Sequence, residues 1–475
     1  MMHITLDRNS TISLTRQIYK HIREAVLNGT LQQYEKLPST REMAKYLNVA
    51  RNVIIESYEQ LTAEGYIYTK NGAGTYVNDG IYFERATSIS SVNNRKPIEN
   101  RPNKNVISFR TGIPDLASIP IKKWGQLYKS ITLSVLPQQM DYQSSKGEYE
   151  LRRQLSIYLR RVRGVNTHPE NILITNGAAQ AFSLLCQHVS EDGYALVENP
   201  LSYGILHTLE SRQVKIQAIP VDEFGMVTEK LPNIPPELIF TTPSHQFPTG
   251  VILPIKRRIQ MIQYAKKHNS YIVEDDYDSE FRFDGSPIQS MQSLDPTCVI
   301  YVGTFSKTLM PSLRMGYMVL PDALCAQMEE TKYVADLHSP ILEQLTMAKF
   351  IEAGSLDLHI KKMRSIYLKR RNHLIKCLEN TFEDTVSISG AEAGMHLVAT
   401  FKTINFDSLV MHKIEDNNIQ ITPIRKHYLL DETNKVLKHP YNDSLIFGYG
   451  NTNILSLDDG IKRLHTVLSP YLTKF

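Results

Sequence analysis

The first eighty residues carry apolar positions at the spacing of short amphipathic helices. One such stretch is Leu14–Leu27, which ends at Asn28-Gly29. The run Leu37-Pro38-Ser39-Thr40-Arg41-Glu42 supplies a hydroxyl cap and an acidic first turn for a second helix, which ends at Leu47. A third helix is predicted from about Arg51 to Glu64. Two short helices joined by a tight turn predict a helix-turn-helix, whose second helix can enter the major groove of DNA.

Two short alternating runs follow these helices. They are Gly65–Lys70 and Gly74–Val77, and Asn71-Gly72 between them is a good hairpin turn. Helices followed by a small hairpin predict a winged helix-turn-helix domain over residues 1–79. Residues 80–104 are then polar and rich in Ser, Asn and Pro, without periodicity, which predicts a flexible linker and a domain boundary.

From Val106 onward, short apolar runs alternate with helical stretches such as Gln180–Gln187 and Ile255–Lys267. The strand candidates are Ile172–Thr175, Ala195–Glu198, Ile216–Val221, Leu238–Thr241, Tyr271–Glu274, Cys298–Gly303 and Gly316–Leu320. Alternation of this kind predicts a multidomain α/β chain in which a mainly parallel sheet is covered by helices on both faces.

Two of these strands end in polar side chains. The run that begins at Tyr271 ends in the carboxylates of Glu274-Asp275-Asp276, and the run that begins at Cys298 leads to Thr304, Ser306, Lys307 and Arg314. Parallel strands deliver their ligand-binding side chains at their carboxyl ends. Pyridoxal phosphate chemistry needs an amine for a Schiff base, a carboxylate for the pyridine nitrogen, and hydroxyls with a guanidinium for the phosphate. Each residue alone is more often a cap or a solvated side chain, so the prediction rests on the ordered set.

Composition narrows the class of protein without identifying it. The chain has 475 residues, of which 42% are apolar and 21% charged, and this predicts a globular protein of two or three domains. Its four cysteines lie far apart with no CxxC pair, so neither a disulfide framework nor a zinc site is predicted. No apolar run approaches the roughly 20 residues of a membrane span, and no secretory pattern begins the chain, so we expect a cytoplasmic protein without membrane contact. The net charge of +4 does not by itself indicate a nucleic-acid partner.

Three motifs resemble one bacterial family. The runs Thr241–Gly250, Glu274–Phe281 and Gly303–Lys307 look like the aminotransferase-like half of MocR-type regulators, and the first eighty residues look like the winged helix of the GntR family to which they belong. The resemblance implies a fold-type-I aminotransferase-like domain over residues 105–475. Its large part would hold a seven-stranded, mainly parallel sheet, and a smaller part would begin near Gly354.

The resemblance also implies roles for individual residues around pyridoxal 5′-phosphate. Lys307 would form the internal aldimine, Asp275 would pair with the pyridine nitrogen and Tyr277 with the ring hydroxyl. Tyr203 would stack on the ring, and Tyr142 would be lent across a dimer interface. The phosphate would be held by Thr304, Ser306, Arg314 and the start of a helix at Ala178, Ala179 and Gln180, where free backbone N–H groups suit an anion. True aminotransferases commonly have an asparagine before Pro-Thr-Gly, where this chain has Phe247, so an amide to the ring hydroxyl is missing.

In the winged helix, the resemblance implies that one set of side chains meets DNA and another forms the wing tip. The first set is Ser39, Arg41, Arg51 and Asn52, and the second is Lys70, Gly72 and Gly74. Solvated helix faces are the alternative for the two arginines. The family usually has a serine cap at position 50, where this chain has Ala50. A missing cap costs about 1 kcal/mol, unless the helix starts at Asn48 instead.

We therefore predict a DNA-binding transcriptional regulator in which the aminotransferase-like domain is a sensor and has no catalytic residues of its own. The alternative from another class is a working aminotransferase with an accessory DNA module, which would need a bidentate arginine for substrate carboxylates. The GABA-responsive family member has one such arginine where this chain has Ile205. It has another in its final strand, after a Gly-Phe-Ala-type run, where this chain reads Phe447-Gly448-Tyr449-Gly450-Asn451. Arg425 or His427 could replace one of them, although a solvated loop is the simpler interpretation of both.

Without these clamps, the effector is predicted to lack an essential carboxylate. One hypothesis is that the protein senses pyridoxal phosphate itself and controls vitamin B6 synthesis, as PdxR-type members do. The other is that an amino compound displaces Lys307 to form an external aldimine. The resemblance also implies a head-to-tail homodimer that binds a double-stranded DNA operator. The sequence leaves open the operator, its spacing, the identity of the effector, and whether binding activates or represses.

Overall fold

A computed structural model of the chain describes residues 4–80, 105–283, 285, 288–429 and 442–472. The chain forms two compact units, Met1–Arg101 and Pro102–Phe475. The predicted linker, residues 80–104, lies outside the described residues apart from Gly80. No helix in the described ranges is long and apolar enough to cross a membrane.

The N-terminal unit has the predicted winged-helix architecture. Its elements are α1 (Leu14–Leu27), β1 (Lys36–Leu37), α2 (Thr40–Leu47), α3 (Arg51–Ala63), β2 (Ile67–Lys70) and β3 (Gly74–Val77). The hairpin of β2 and β3 is antiparallel, and β1 adds a third strand that two residues of pattern could not predict. Ile18, Ile22, Ile54 and Leu61 are fully buried in its core, so the predicted helical faces do point inward.

The second unit begins with the short strand β4, which is followed by the elements of the large sheet and its covering helices. In chain order they are β4 (Ile107–Ser108), α4 (Ile121–Ser134), α5 (Tyr149–Arg163), β5 (Ile172–Thr175), α6 (Ala178–Cys186), β6 (Tyr194–Asn199), α7 (Tyr203–Ser211), β7 (Lys215–Asp222), β8 (Gly225–Met226), β9 (Leu238–Thr241), α8 (Ile255–His268), β10 (Tyr271–Asp276), β11 (Val299–Thr304), α9 (Phe305–Thr308), β12 (Gly316–Val319), α10 (Asp322–Asp336) and α11 (Ile341–Glu352).

Within the described residues, the large sheet has eight strands in the order β5-β12-β11-β10-β9-β6-β7-β8. The seven predicted strands are all present, and the eighth, β8, is a two-residue antiparallel return beside β7. The strands from β11 to β7 run parallel, whereas β12 is antiparallel to both of its neighbours. The sheet is therefore mixed but mainly parallel.

Successive residues of the central strands enter two separate cores. Tyr301 packs with α4, α5 and α11 on one face, while Ile300 and Val302 pack with α6, α7 and α10 on the other. Side chains alternate across a strand, so a strand buried on both faces reads as a continuous apolar run. Burial on both faces explains why the sequence marks these strands clearly.

The elements from α12 onward form the smaller part of this unit. Its elements are α12 (Ser355–Phe382), β13 (Val386–Ser389), β14 (His396–Phe401), α13 (Ser408–Asp416), β15 (Ile419–Gln420), β16 (Thr422–Pro423), β17 (Ser444–Gly448) and α14 (Ile454–Leu468). The strands β13-β14-β17-β16 form an antiparallel sheet in that order. The early strand β4 pairs in parallel with β15, and Phe109 is buried in the core of the smaller part. The first residues of this unit therefore pack with its last elements.

Candidate functional site

A cavity of about 320 Å³ lies at the carboxyl ends of β10 and β11. The two strands are parallel neighbours, with Asp275 opposite Val302. The cavity is lined by Thr111, Gly112, Ala178, Ala179, Phe182, Ser202, Gly204, Ile205, Phe247, Asp275, Tyr277, Asp278, Thr304, Ser306, Lys307, Pro311, Arg314 and His396. Eight of the eleven residues predicted to hold a cofactor are among them.

The other three predicted residues lie elsewhere in this single chain. Tyr203 is 61% exposed and stacks on His207, although its neighbours Ser202 and Gly204 line the cavity. The Gln180 side chain accepts a hydrogen bond from the Asn176 backbone and donates another to a carboxylate on α10, so it does not line the cavity. Tyr142 is 79% exposed, which leaves its predicted role across a dimer interface a prediction.

The Lys307 amine is held inside the cavity. It lies in the short helix α9, and its Nζ donates a hydrogen bond of 2.7 Å to the carbonyl oxygen of Gly112. Burial lowers the pKa of Lys307, and the positive charges of Arg314 and Arg110 act in the same direction against Asp278 and Asp275. A depressed pKa leaves more of the amine neutral, which is the nucleophilic form that Schiff-base formation requires.

Asp275 supplies a buried carboxylate oxygen that lacks a protein partner. Among the described residues, no donor reaches Oδ1 of Asp275. Burial raises the pKa of this carboxyl group to about 8, with a further contribution from the adjacent Asp276. Because buried polar atoms are nearly always hydrogen-bonded, an unpartnered carboxylate at a cavity wall indicates a ligand with a matching donor. A protonated pyridine nitrogen is such a donor.

The cavity also contains a site suited to an anion, at the start of α6. Gly177 caps this helix with φ of +81°, and a Cβ at that position would come within 2.9 Å of the Arg314 guanidinium. Arg314 also donates to the carbonyl oxygen of Asn176 at 3.1 Å. The hydroxyls of Thr304 and Ser306, which also line the cavity, lie 3.1 Å apart. Free helix N–H groups, a guanidinium and two hydroxyls together suit a phosphate.

A second, fully buried network fixes the end of β10. The Arg163 Nε donates to Oδ2 of Asp276 at 2.7 Å, and the Tyr301 hydroxyl donates to the same oxygen at 2.6 Å. Arg163 also donates to the hydroxyl of Ser244. Arg163 ends α5, and nothing in its sequence context marks it as a partner of a residue 113 positions away. The network leaves Asp276 satisfied and Asp275 free to face the cavity.

Another wall of the cavity carries polar groups that sequence reasoning did not single out. Nδ1 of His245 lies 3.0 Å from Oδ1 of Asp278, and the Tyr277 hydroxyl donates to the carbonyl oxygen of His245 at 3.0 Å. The ring of His396 lies 4.7 Å from that of His245, and burial lowers the pKa of His396 well below its usual value. Asp278 stood inside a motif used for the resemblance, whereas His396 at the start of β14 had no sequence signal.

Positions named for a carboxylate clamp can now be located. Ile205 is buried at the cavity wall, and the described residues that line the cavity include two cationic groups, Lys307 and Arg314. His427 packs edge-on against Phe247 at 5.0 Å, and burial lowers its pKa to about 4. His427 is half-buried, and its ring contacts Phe247 and the carbonyl oxygen of Leu201.

The N-terminal unit displays the side chains predicted to meet DNA. Arg41, Arg51, Asn52, Lys70 and Gly72 are exposed and Gly74 is half-buried. Ser39 caps α2: its hydroxyl accepts a hydrogen bond from the Glu42 backbone N–H, and the Glu42 carboxylate accepts one from the Ser39 backbone N–H. The helix α3 begins at Arg51 with Ala50 as an uncapped N-cap residue, which settles where this helix starts. Lys36, which the sequence analysis did not single out, lies near the same aromatic ring as Lys70. The ammonium groups of both residues lie close to the Tyr76 ring centre, at 5.8 and 5.9 Å.

Family comparisons cover both units. The model for "Bacterial regulatory proteins, gntR family" matches residues 14–77, and the model for "Aminotransferase class I and II" matches residues 104–435. The chain is 31% identical to the probable rhizopine catabolism regulatory protein MocR of Rhizobium meliloti, over 98% of this chain and 95% of that protein. It is 27% identical to the pyridoxine biosynthesis regulator PdxR of Corynebacterium glutamicum, over 83% and 85%.

Solved structures resemble the second unit. A kynurenine aminotransferase of Pyrococcus horikoshii, in complex with PMP, matches with a TM-score of 0.70 and 25% identity, over 78% of this chain and 93% of that chain. The α-aminoadipate aminotransferase LysN of Thermus thermophilus matches with a TM-score of 0.69 and 22% identity, over the same shares. The fold of residues 104–435 is accordingly that of fold-type-I aminotransferases.

Proposed function

The chain belongs to the MocR-type regulators of the GntR family, and from this premise we propose that its aminotransferase-like domain is a sensor whose ligand state controls DNA binding by the winged helix. Its cofactor is pyridoxal 5′-phosphate, the cofactor of the aminotransferase class I and II domain that the chain contains. When bound, this cofactor supplies an electrophilic carbonyl carbon that combines reversibly with amines.

The unpartnered Oδ1 of Asp275 is the single observation that carries the proposal. It lies in the same cavity as the buried amine of Lys307 and the anion cradle of Arg314. Lys307 would hold the cofactor covalently, Asp275 would hold a proton at the pyridine nitrogen, and Arg314 with Thr304, Ser306 and the α6 backbone would bind phosphate. Tyr277 would contact the ring hydroxyl. Tyr203 and Tyr142 retain their proposed roles, stacking and the contact across a head-to-tail dimer.

These residues act by orientation and proton placement. The carbonyl of Gly112 orients the Lys307 amine, and burial lowers the pKa of that amine. The buried wall around Asp275 excludes water and strengthens its interaction with a positive ring nitrogen. Arg163 pairs with the neighbouring Asp276, which leaves Oδ1 of Asp275 available to a pyridine nitrogen.

We propose that pyridoxal phosphate itself is the effector and that the protein controls vitamin B6 synthesis. The cavity supports an effector without an essential carboxylate, because Ile205 stands where the GABA-responsive relative has an arginine. The resemblance to a pyridoxine biosynthesis regulator also supports pyridoxal phosphate as the effector. For sensing to work, cofactor binding must favour one arrangement of the DNA-binding units, since a ligand with equal affinity for both shifts nothing.

A second candidate effector is an amino compound that competes with Lys307. Asp278 and His396 favour it, because both line the cavity and neither is needed to hold the cofactor. A working aminotransferase is the third possibility. An aminotransferase must turn over amino and keto acids, whereas a sensor only has to bind its ligand. We propose that any such transamination is residual and that the domain is used for sensing.

The first experiment compares the wild type with Lys307→Ala by absorbance with added pyridoxal phosphate, and follows binding to DNA from upstream of the protein's own gene. Lys349→Ala, an exposed lysine in α11, is the matched control. We expect a visible band in the wild type and control that the Lys307 variant lacks, and DNA affinity that changes with the cofactor only where the band is present.

A band with unchanged DNA binding would overturn sensing of the cofactor and direct the search to amines. Steady transamination of common amino acids would favour the enzyme. Absence of a band in all three proteins would overturn the assignment of the site.

A further inference from the structure

His373, Cys377 and Asp458 bring three metal-ligating atoms to one point, away from the cofactor cavity. His373 and Cys377 are one turn apart on α12, and Asp458 lies on α14, which packs against it. Nε2 of His373 lies 2.7 Å and Sγ of Cys377 3.2 Å from the same oxygen, Oδ1 of Asp458. All three ligand atoms lie within 4.8 Å of one another.

We propose that these three side chains bind one Zn²⁺ ion that joins α12 to α14, with water as the fourth ligand. Residues four apart on a helix present their side chains to one face, which is how helices supply paired zinc ligands. Imidazole, thiolate and carboxylate are the zinc-binding groups of proteins, and soft sulfur favours Zn²⁺ over Mg²⁺ or Ca²⁺.

The distances fit a site that closes around an ion with small movements. Tetrahedral Zn²⁺, with bonds of about 2.0 Å to nitrogen and oxygen and about 2.3 Å to sulfur, keeps its ligands roughly 3.3–3.6 Å apart. The observed separations of 2.7 and 3.2 Å are therefore shorter by about half an ångström or less.

Burial and charge suit an ion with one open position. Side chains of His373 and Asp458 are 32% and 37% exposed, so water can reach the point where they meet. Leu374 and Leu378 on the same helix are fully buried, which places the cluster at the edge of the apolar contact between the helices.

The sequence alone predicted no such site. The histidine and cysteine stand in the pattern His-x-x-x-Cys, but the third ligand comes 81 residues later and from another helix. A simple hydrogen-bonded cluster is the competing explanation. A thiol is a weak donor, however, and gains little from a position beside a carboxylate unless a metal replaces its proton.

The test is a Zn²⁺ titration of the full-length, cofactor-loaded protein, with Co²⁺ as a spectroscopic substitute. We expect one tightly bound equivalent per chain and a thiolate-to-Co²⁺ absorption band. Cys377→Ser and His373→Gln should weaken Zn²⁺ binding at least about tenfold, and Cys377→Ser should remove the band. Cys325→Ser changes another half-buried cysteine and should leave both unchanged.

Several outcomes would overturn the site. One is the absence of a stoichiometric Zn²⁺ equivalent in the wild type. Another is Zn²⁺ binding by Cys377→Ser that equals binding by the wild type. Zn²⁺ binding that is lost only in His396→Gln would also overturn the site, because it would place the ion beside the cofactor cavity. If circular dichroism finds the serine variant unfolded, Asp458→Asn answers the same question. None of the three ligands lines the cofactor cavity, so failure here is independent of the proposed sensor function.

Discussion

The amine of Lys307 donates a 2.7 Å hydrogen bond to the carbonyl oxygen of Gly112, a residue 195 positions earlier in the chain. Gly112 has φ of +71°, and a Cβ there would lie 2.7 Å from that same amine. The segment after β4 therefore closes the cavity over the lysine. Placement of the amine depends on this early segment as well as on the short helix α9 that carries the lysine.

Gly112→Ala should weaken cofactor binding at least about tenfold, or ~1.4 kcal/mol, because the added methyl group displaces the lysine amine. The positive φ adds a stability loss of about 1–2 kcal/mol. Gly354→Ala separates the two effects, since Gly354 has φ of +66° and nothing within 4 Å of its Cβ position. Absorbance titration and chemical denaturation measure them. Equal cofactor affinity in both variants would contradict the prediction.

Asp275→Asn should stabilise the cofactor-free protein at neutral pH while weakening cofactor binding. The folded-state pKa is raised from 3.8 to about 8, so the folded state retains a proton that the unfolded chain releases. This group therefore costs the wild type stability as pH rises from about 4 to about 8, on the order of a few kcal/mol, and the variant lacks that loss. Cofactor affinity should fall about 10- to 100-fold without the charged partner.

The control for this prediction is Asp222→Asn. Its hydrogen bond from Arg257 lowers the pKa of Asp222, so the sign reverses and this variant should lose stability at neutral pH. Denaturation of the cofactor-free proteins across this pH range distinguishes them. A stability difference between wild type and Asp275→Asn that does not grow with pH would disprove the assignment.

Arg163→Met should destabilise the protein by about 3–5 kcal/mol, because it leaves the Asp276 carboxylate buried without its cation. Arg161→Met, two residues earlier, breaks an ion pair with Asp357 whose side chains are 56% and 38% exposed. That exposed pair should contribute less than about 1 kcal/mol. Urea denaturation of the two variants gives the comparison, and similar midpoints would refute it.

Ala50→Ser should stabilise the winged helix by about 0.5–2 kcal/mol. Ala50 already has the extended backbone of an N-cap residue, with φ of −62° and ψ of 139°, but offers no side-chain oxygen to the helix. Ser39→Ala, which removes the existing cap of α2, should have the opposite sign. Denaturation of the full-length protein, monitored by circular dichroism, measures both changes. An Ala50→Ser variant that is no more stable than the wild type would contradict the prediction.

Arg51→Ala should weaken DNA binding by about 1–3 kcal/mol. Arg51 is the first residue of α3, exposed, and its Nε lies 3.3 Å from the hydroxyl of Thr40. Arg51→Lys is the control that separates the kinds of contact. Lysine restores affinity if Arg51 meets phosphate, and does not if it reads a base edge in bidentate fashion. Undiminished binding by the alanine variant would remove Arg51 from the interface.

Much of the cofactor site could be predicted because its residues end neighbouring strands. Asp275 and Thr304 follow long apolar runs, and parallel pairing of β10 with β11 brings such ends together. Gly112 and His396 could not be predicted, because they enter the cavity from segments whose direction depends on packing of the smaller part. Gln180 was predicted from its position after a glycine turn, but only Ala178 and Ala179 there line the cavity.

The sequence by itself determined the winged helix, the apolar strands and the chemistry at their ends, since periodicity and capping act over a few residues. Tertiary structure decided the antiparallel insertion of β12, the pairing of β4 with β15, the Arg163–Asp276 ion pair and the meeting of His373, Cys377 and Asp458. Each of these joins residues far apart in the chain. Burial of shared apolar surface and satisfaction of buried charges select such contacts, and neither leaves a local pattern.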